Sequence, residues 1–155
     1  KKLFKKKGFP STILRLYLTY GPRQDVNRFI PIIITGCIRN KPFPCSEGSQ
    51  LRDFLHVKDV VNGIFKTLQN KRARGHIINI GSGKPRKIKE IIKLIKDKVK
   101  KGKPEFGKIS LRKDEILKLY PSIKKAKKII KWQPKISFER GLLSTISYYS
   151  GSKTK

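Results

Sequence analysis

Methionine is absent from all 155 residues, position 1 included, and there are only two cysteines, one tryptophan and two histidines. The missing methionine gives the expectation of a truncated reading or a mature fragment. Cys37 and Cys45 are too few for a disulfide framework or a four-ligand zinc site, so a reducing, cytoplasmic setting is expected. His56 and His76 stand apart, without spaced Cys or carboxylate partners, and no metal site is expected. No apolar run approaches the ~18–20 residues of a membrane span. The basic start, Lys1 to Lys7, has no apolar segment behind it and does not read as a secretory signal. Acidic residues are scarce, at 10 against 39 lysines and arginines.

That imbalance leaves a formal charge of +29, which attracts any polyanion in a salt-sensitive way. Of the basic residues 29 are lysine and 10 arginine. Specific readers of nucleic acid rely on arginine forks and aromatic platforms, whereas these lysines fall opposite the apolar faces of helices. A lysine-rich enzyme surface explains them, and a basic nucleic-acid-binding module is the alternative.

The apolar residues cluster in periodic blocks separated by Gly and Pro. Ile13 to Leu18 reads as a buried strand stopped by Tyr20-Gly21-Pro22. Arg28 to Arg39 fits a helix, with Pro31 tolerated in its first turn. Asn40 to Gly48 reads as a loop and Leu51 to His56 as a short strand. Val60, Val61, Ile64, Phe65 and Leu68 then mark an amphipathic helix. A strand over His76–Ile80 closes on Gly81-Ser82-Gly83, and a helix follows with Ile88, Ile91, Ile92, Ile95 and Val99 inward. A strand near Ile109–Leu111 and helices over Ser122–Lys131 and Phe138–Tyr149 complete the pattern. Alternation of strand and helix makes the class α/β, with too few strands for a free-standing sheet.

Local chemistry is sparse. Gly81-Ser82-Gly83 lacks the third glycine of a dinucleotide loop and the Lys-Ser/Thr of a P-loop, so it reads as a tight turn. Asp114 and Glu115 would diverge, and Cys45 has no local base. No catalytic residue is assigned.

The stretch Gly48-Ser49-Gln50-Leu51-Arg52-Asp53-Phe54-Leu55-His56-Val57-Lys58-Asp59-Val60 resembles G-x-Q-x-R-D-F-x-Y/H-V-x-D-V. That motif belongs to the extended short-chain dehydrogenase/reductases, NAD(P)-dependent epimerases and dehydratases of nucleotide sugars. Leu14-Arg15 with Tyr20-Gly21-Pro22, Arg28-Phe29-Ile30-Pro31, Asn79 to Gly83, Arg112 to Glu115, Lys125-Ala126 and Trp132-Gln133-Pro134 resemble further family motifs in the same order. The similarity runs from Ile13 to Tyr149.

The resemblance implies the C-terminal portion of a Rossmann-like enzyme, a single fragment over 1–155. Residues 13–24 and 52–83 would complete the sheet, and 25–51 with 84–150 would form a small α/β substrate lobe. The absent N-terminal half would hold NAD or NADP and the catalytic Tyr-x-x-x-Lys. In this chain Arg52 and Arg112 would hold a nucleoside diphosphate, as a guanidinium fork suits. A salt bridge from Arg52 to Asp53 or Asp59 is the competing reading. Glu115 would face the ribose, Cys45 with Phe43 the nucleobase, and Arg28 and Phe29 the nucleotide and sugar. Tyr20, Gly21 and Pro22 would lie near the nicotinamide, mainly as backbone. The partner implied is a nucleoside-diphosphate sugar, and a homodimer of the longer enzyme is compatible with the resemblance alone. Leu18 stands where the family has Asn, and Lys87 where it has a Ser/Thr helix cap worth ~1 kcal/mol. The fragment is expected to be inactive alone, and a non-catalytic scaffold relic is a further alternative.

Overall fold

The computed structural model describes residues 2–151, so Lys1 and 152–155 of the expected single fragment lie outside the described residues. A short helix, α1 (Lys2–Lys7), precedes strand β1 (Ile13–Leu16). After β2 (Leu18–Tyr20) come α2 (Phe29–Arg39) and β3 (Pro42–Pro44). The expected 51–56 strand is two pieces, β4 (Leu51–Arg52) and β5 (Phe54–His56), broken at Asp53. Then follow α3 (Val57–Leu68), a 3-10 turn over Lys71–Ala73, and β6 (Ile77–Ile80). β7 (Arg86–Lys87), α4 (Ile88–Val99), β8 (Lys103–Glu105) and β9 (Lys118–Leu119) lead to α5 (Lys124–Ile130) and α6 (Phe138–Tyr149).

β1 runs parallel to β6 with Ile13 opposite Ile77 and Leu16 opposite Ile80, and β2 runs parallel to β5. These are two separate two-stranded parallel sheets, and α3, which links β5 to β6, packs against β2 and β5. Here a core of Leu55, Val60, Ala73, Ile78 and Ile80 is closed by Ala126, Ile130 and Trp132. A second core joins α2, α4 and α6 through Ile30, Ile34, Ile91, Ile95, Leu142 and Ile146. α5 and Trp132 therefore pack with the sheet, although they lie inside the 84–150 stretch that the sequence reading gives to the other lobe.

α4 buries Ile88, Ile91, Ile92 and Ile95, as their spacing predicts, and Lys87 at its start makes no side-chain cap bond. The expected Ile109–Leu111 strand does not form. Ile109 is half exposed and donates one isolated amide bond to the Cys45 carbonyl, while pairing occurs on either side, in β8 and β9. β3 replaces part of the expected 40–48 loop. Its two prolines are tolerated because β3 pairs with β8 on one side only.

α3 departs most from its reading. Of its five periodic apolar residues only Val60 is buried; Val61, Ile64, Phe65 and Leu68 are exposed, at 45%, 36%, 58% and 76%. The covered side is lined instead by Asp59, Gly63 and Thr67, and the Trp132 ring presses on Gly63, where an added Cβ would sit 3.2 Å from Cε2. Periodicity establishes a stripe but not what covers it. Ile13, Leu16 and Leu18 are likewise exposed, and among the described residues β1 pairs on one edge only. Phe65→Ala is accordingly expected to change unfolding free energy by no more than ~0.5 kcal/mol, whereas Ile91→Ala should cost about 2–5 kcal/mol. Urea titration of the two variants measures the contrast.

Candidate functional site

The candidate site grows from the short strand β4. Gly48 precedes it with φ +72°, and an added Cβ there would meet the Lys89 amide nitrogen at 2.6 Å and its Cα at 2.9 Å. Only glycine lets the chain lie against the start of α4, where the Lys89 amide donates to the Gly48 carbonyl at 2.9 Å. The chain then enters a three-stranded sheet in the order β7-β4-β9, with Arg52 opposite Arg86 on one side and Leu119 on the other.

Successive residues of Arg52-Asp53-Phe54-Leu55-His56 take different tasks, as a strand's alternating faces require. The Arg52 guanidinium donates from Nη1 to the Leu51 carbonyl at 2.9 Å, and from Nη2 it forms an ion pair with Glu115. Arg112 reaches the same carboxylate, Nη2 to Oε2, at 3.4 Å. Arg52 and Glu115 side chains are 13% and 14% exposed, and Arg112 is 83% exposed. Thus two guanidiniums from distant segments converge on one carboxylate and leave a net positive charge. The competing expectation of an Arg52 bridge to Asp53 or Asp59 is not met, because both aspartates serve the backbone.

Asp53, 1% exposed, accepts from the Ser82 amide at 2.6 Å, the Gly83 amide at 2.7 Å and the Ser82 hydroxyl at 2.8 Å. These are the amide donors of the Gly81–Gly83 turn, so the turn grips an internal carboxylate. It is no cradle for an external phosphate. Asp59 accepts from the Lys135 and Ile136 amides at 3.1 and 2.9 Å, and fixes the tail before α6. Residue-type reasoning about catalysis passed over both aspartates. Their signal was spacing: an acid beside Arg52 and a second in the first turn of α3.

Phe54 enters an aromatic cluster with Tyr20, Phe29 and Phe138, at centroid separations of 6.5, 5.6 and 6.1 Å. Phe29 is therefore a packing residue at the start of α2, and Arg28 beside it is exposed. Phe43 lies half-buried against Gly36. Cys45 is 4% exposed in the same core as Cys37, so its thiol is packed inward and does not present an open surface. Burial pushes the Cys45 thiol up, and the Cys37 thiol up to about 11, which leaves neither as a ready nucleophile. Tyr20 is 1% exposed, and its hydroxyl donates to the Phe138 carbonyl at 3.0 Å. Burial raises this phenol well above its usual range. Gly21 lies against Val57, whose Cγ1 would be 2.7 Å from an added Cβ, and Pro22 is half-buried. The structure brings together Arg52, Arg112 and Glu115; it does not bring Cys45 or the Tyr20 side chain to them.

His56 is 4% exposed, and its Nδ1 accepts from the Lys58 amide at 3.3 Å. The ring proton is thereby left on Nε2, which meets no acceptor among the described residues. Desolvation lowers this histidine below its usual value, partly opposed by Asp59 and reinforced by Lys58. The neutral ring is favoured in the fold, so below pH ~6.5 the unfolded chain takes up a proton that the folded chain refuses. Stability is expected to fall as pH drops through that value and to level off below the folded pKa. Urea midpoints between about pH 7.5 and 5 should show the slope, and His56→Gln should flatten it.

Among the described residues no three His, Cys, Asp or Glu side chains gather to hold a metal, and no helix is long and apolar enough to cross a membrane. The profile of the NAD dependent epimerase/dehydratase family matches residues 1–81. UDP-glucuronate 4-epimerase of Thermodesulfobacterium geofontis is 32% identical over 91% of this chain and 43% of its own length. CDP-abequose synthase of Salmonella muenchen is 29% identical over 86% of this chain and 46% of its own length. The structure of UDP-glucuronic acid 4-epimerase from Bacillus cereus, in complex with UDP-glucuronic acid and NAD, superposes with a TM-score of 0.85 at 28% identity. It covers 96% of this chain, and 48% of that protein is covered. The chain thus spans less than half the length of each of these relatives, and its fold is that of a Rossmann-like α/β enzyme.

Proposed function

The chain belongs to the NAD dependent epimerase/dehydratase family, and we propose that it supplies the substrate-binding half of a nucleotide-sugar epimerase, dehydratase or reductase. The observation that carries this reading is the convergence of Arg52, Glu115 and Arg112 at the end of β4. Planar guanidiniums suit a diphosphate because each can offer two parallel N–H donors. On this reading Arg52 and Arg112 take the diphosphate and Glu115 turns its carboxylate to the ribose. Phe43, with Cys45 packed beneath, flanks the base, and Arg28 and Phe29 border the nucleotide and sugar. Residues 13–24 and 52–83 form the sheet part, and 25–51 with 84–150 the lobe above it, α5 and Trp132 lying against the sheet.

The residues present do not fit a dinucleotide on their own. The glycine turn after β6 has its amides engaged by Asp53, and Tyr20 faces the interior, so Tyr20-Gly21-Pro22 offers backbone at most. NAD or NADP binding and the hydride chemistry belong, in this reading, to the half of the relatives that this chain does not span. The free thiols of Cys37 and Cys45 agree with a cytoplasmic setting, and a homodimer of the complete enzyme is part of the same reading. The test is turnover. This chain with NAD(P) and a nucleoside-diphosphate sugar is expected to return the sugar unchanged, as chromatography of the sugar nucleotide would show, because an epimerase or dehydratase gives back the hydride it takes and leaves no net NAD(P)H to follow. Measurable turnover by the chain alone would overturn the assignment of catalysis to the other half.

A further inference from the structure

A concavity of about 440 Å³ opens between the turn after β6, α5 and the tail that leads into α6. Its lining includes four cations from three segments: Lys84 and Arg86 after β6, Lys127 in α5 and Lys135 in the tail. The one carboxylate there, Glu139, is held by Arg86 at 2.6 Å. The Arg86 guanidinium also sits 4.7 Å from the centre of the Phe138 ring, which fixes it at the rim. Lys84, Lys127 and Lys135 have no carboxylate within ion-pair distance among the described residues. Four cations against the single Glu139 carboxylate, which feels Lys84 as well as Arg86, leave the hollow with a net positive charge that favours an anion.

The hollow is also apolar below its rim, where Ile123, Pro134 and Ile136 are only partly covered. An inorganic ion would fill a fraction of the volume and leave that surface wet. The volume falls in the range of small-molecule pockets, roughly 300–1,000 Å³. None of its lining residues belongs to the Arg52–Glu115–Arg112 cluster. Arg52 and Arg86 are opposite in the β4–β7 ladder, yet they pair with different carboxylates, Glu115 and Glu139. We propose that this cavity is a separate binding site for a small organic phosphate, its phosphoryl group among the three lysines and its body over Ile123, Pro134 and Ile136.

The test is equilibrium dialysis of uridine monophosphate against the complete polypeptide that carries these residues. The Arg52 cluster is first silenced, either by Arg52→Ala or by saturating it with a nucleoside-diphosphate sugar. Mononucleotide binding is expected to persist under both conditions, and Lys127→Glu or Lys84→Glu should weaken it by about tenfold or more without moving the melting temperature. Inorganic phosphate should compete only weakly. Loss of binding when the Arg52 cluster is silenced would assign all nucleotide to that cluster and overturn the proposal. So would binding indifferent to both lysine reversals, or inorganic phosphate binding as tightly as the mononucleotide. Binding of the nucleoside-diphosphate sugar, measured separately in the same variants, tells failure of this site from failure of the Arg52 reading.

Discussion

On the proposed reading, replacing Arg52 with alanine in the complete enzyme is expected to weaken nucleoside-diphosphate-sugar binding by about 100-fold or more, the range for truncating a desolvated charge partner. Two losses combine. The diphosphate loses a fork that is 13% exposed and already steered by the Leu51 carbonyl and Glu115. Glu115, itself 14% exposed, keeps only the solvent-exposed Arg112 and turns from a partner into a repulsive neighbour of the phosphates. Arg52→Lys restores the charge without the fork and should recover only part of the affinity. Arg112→Ala, acting from an exposed position, should cost roughly tenfold or less. Titration calorimetry of the three variants ranks them, and equal affinities for wild type and Arg52→Ala would remove the diphosphate assignment.

Asp53→Ala is expected to cost about 3–5 kcal/mol of folding free energy, as much as a large core truncation. The carboxylate accepts three short bonds, and alanine would leave the Ser82 and Gly83 amides without partners beside the buried Gly81. An added group has little room to compensate, since Pro121 already lies against Gly81. Asp53→Asn keeps two acceptor lone pairs on one oxygen and should cost less, because it gives up the charge but not every bond. Urea denaturation followed by circular dichroism gives both values. A loss under ~1 kcal/mol for Asp53→Ala would mean that water replaces the carboxylate freely.

Much of the fold was legible because one-face periodicity survives without neighbours. α2 buries Ile30, Ile33 and Ile34 and α4 buries Ile88, Ile91, Ile92 and Ile95, whereas α6 buries Leu142 and Ile146 of its expected face but leaves Leu143 half exposed; β6 ends at the glycine turn. What escaped depended on contacts between distant segments. β3 and β8 are strands only because Pro42–Pro44 and Lys103–Glu105 lie side by side, and neither has a strand's composition. Ile109–Leu111 has that composition but makes only one isolated backbone bond, from the Ile109 amide to the Cys45 carbonyl. At the candidate site the identities of Arg52, Arg112 and Glu115 came from resemblance, while the shared carboxylate is a fact of tertiary structure. The resemblance put Cys45 by the nucleobase, and nothing in the sequence alone indicated that its thiol would be packed into the core at 4% exposure. Asp53 and Asp59 were hidden for the opposite reason, since a backbone amide 29 or 77 residues away leaves no pattern in composition.

The uncovered stripe of α3 sits on a chain that carries +29, and the two features govern its colloidal behaviour jointly. At low ionic strength, mutual repulsion keeps copies farther apart than the short range over which Phe65 and Leu68 attract one another. The screening distance shrinks from about 30 Å at 0.01 M salt to about 3 Å at 1 M. Added salt therefore removes the long-range barrier and leaves the apolar attraction in place. Solubility of this chain should therefore be highest at low salt and decline as the buffer becomes more concentrated, over the same range in which its hold on a polyanion weakens.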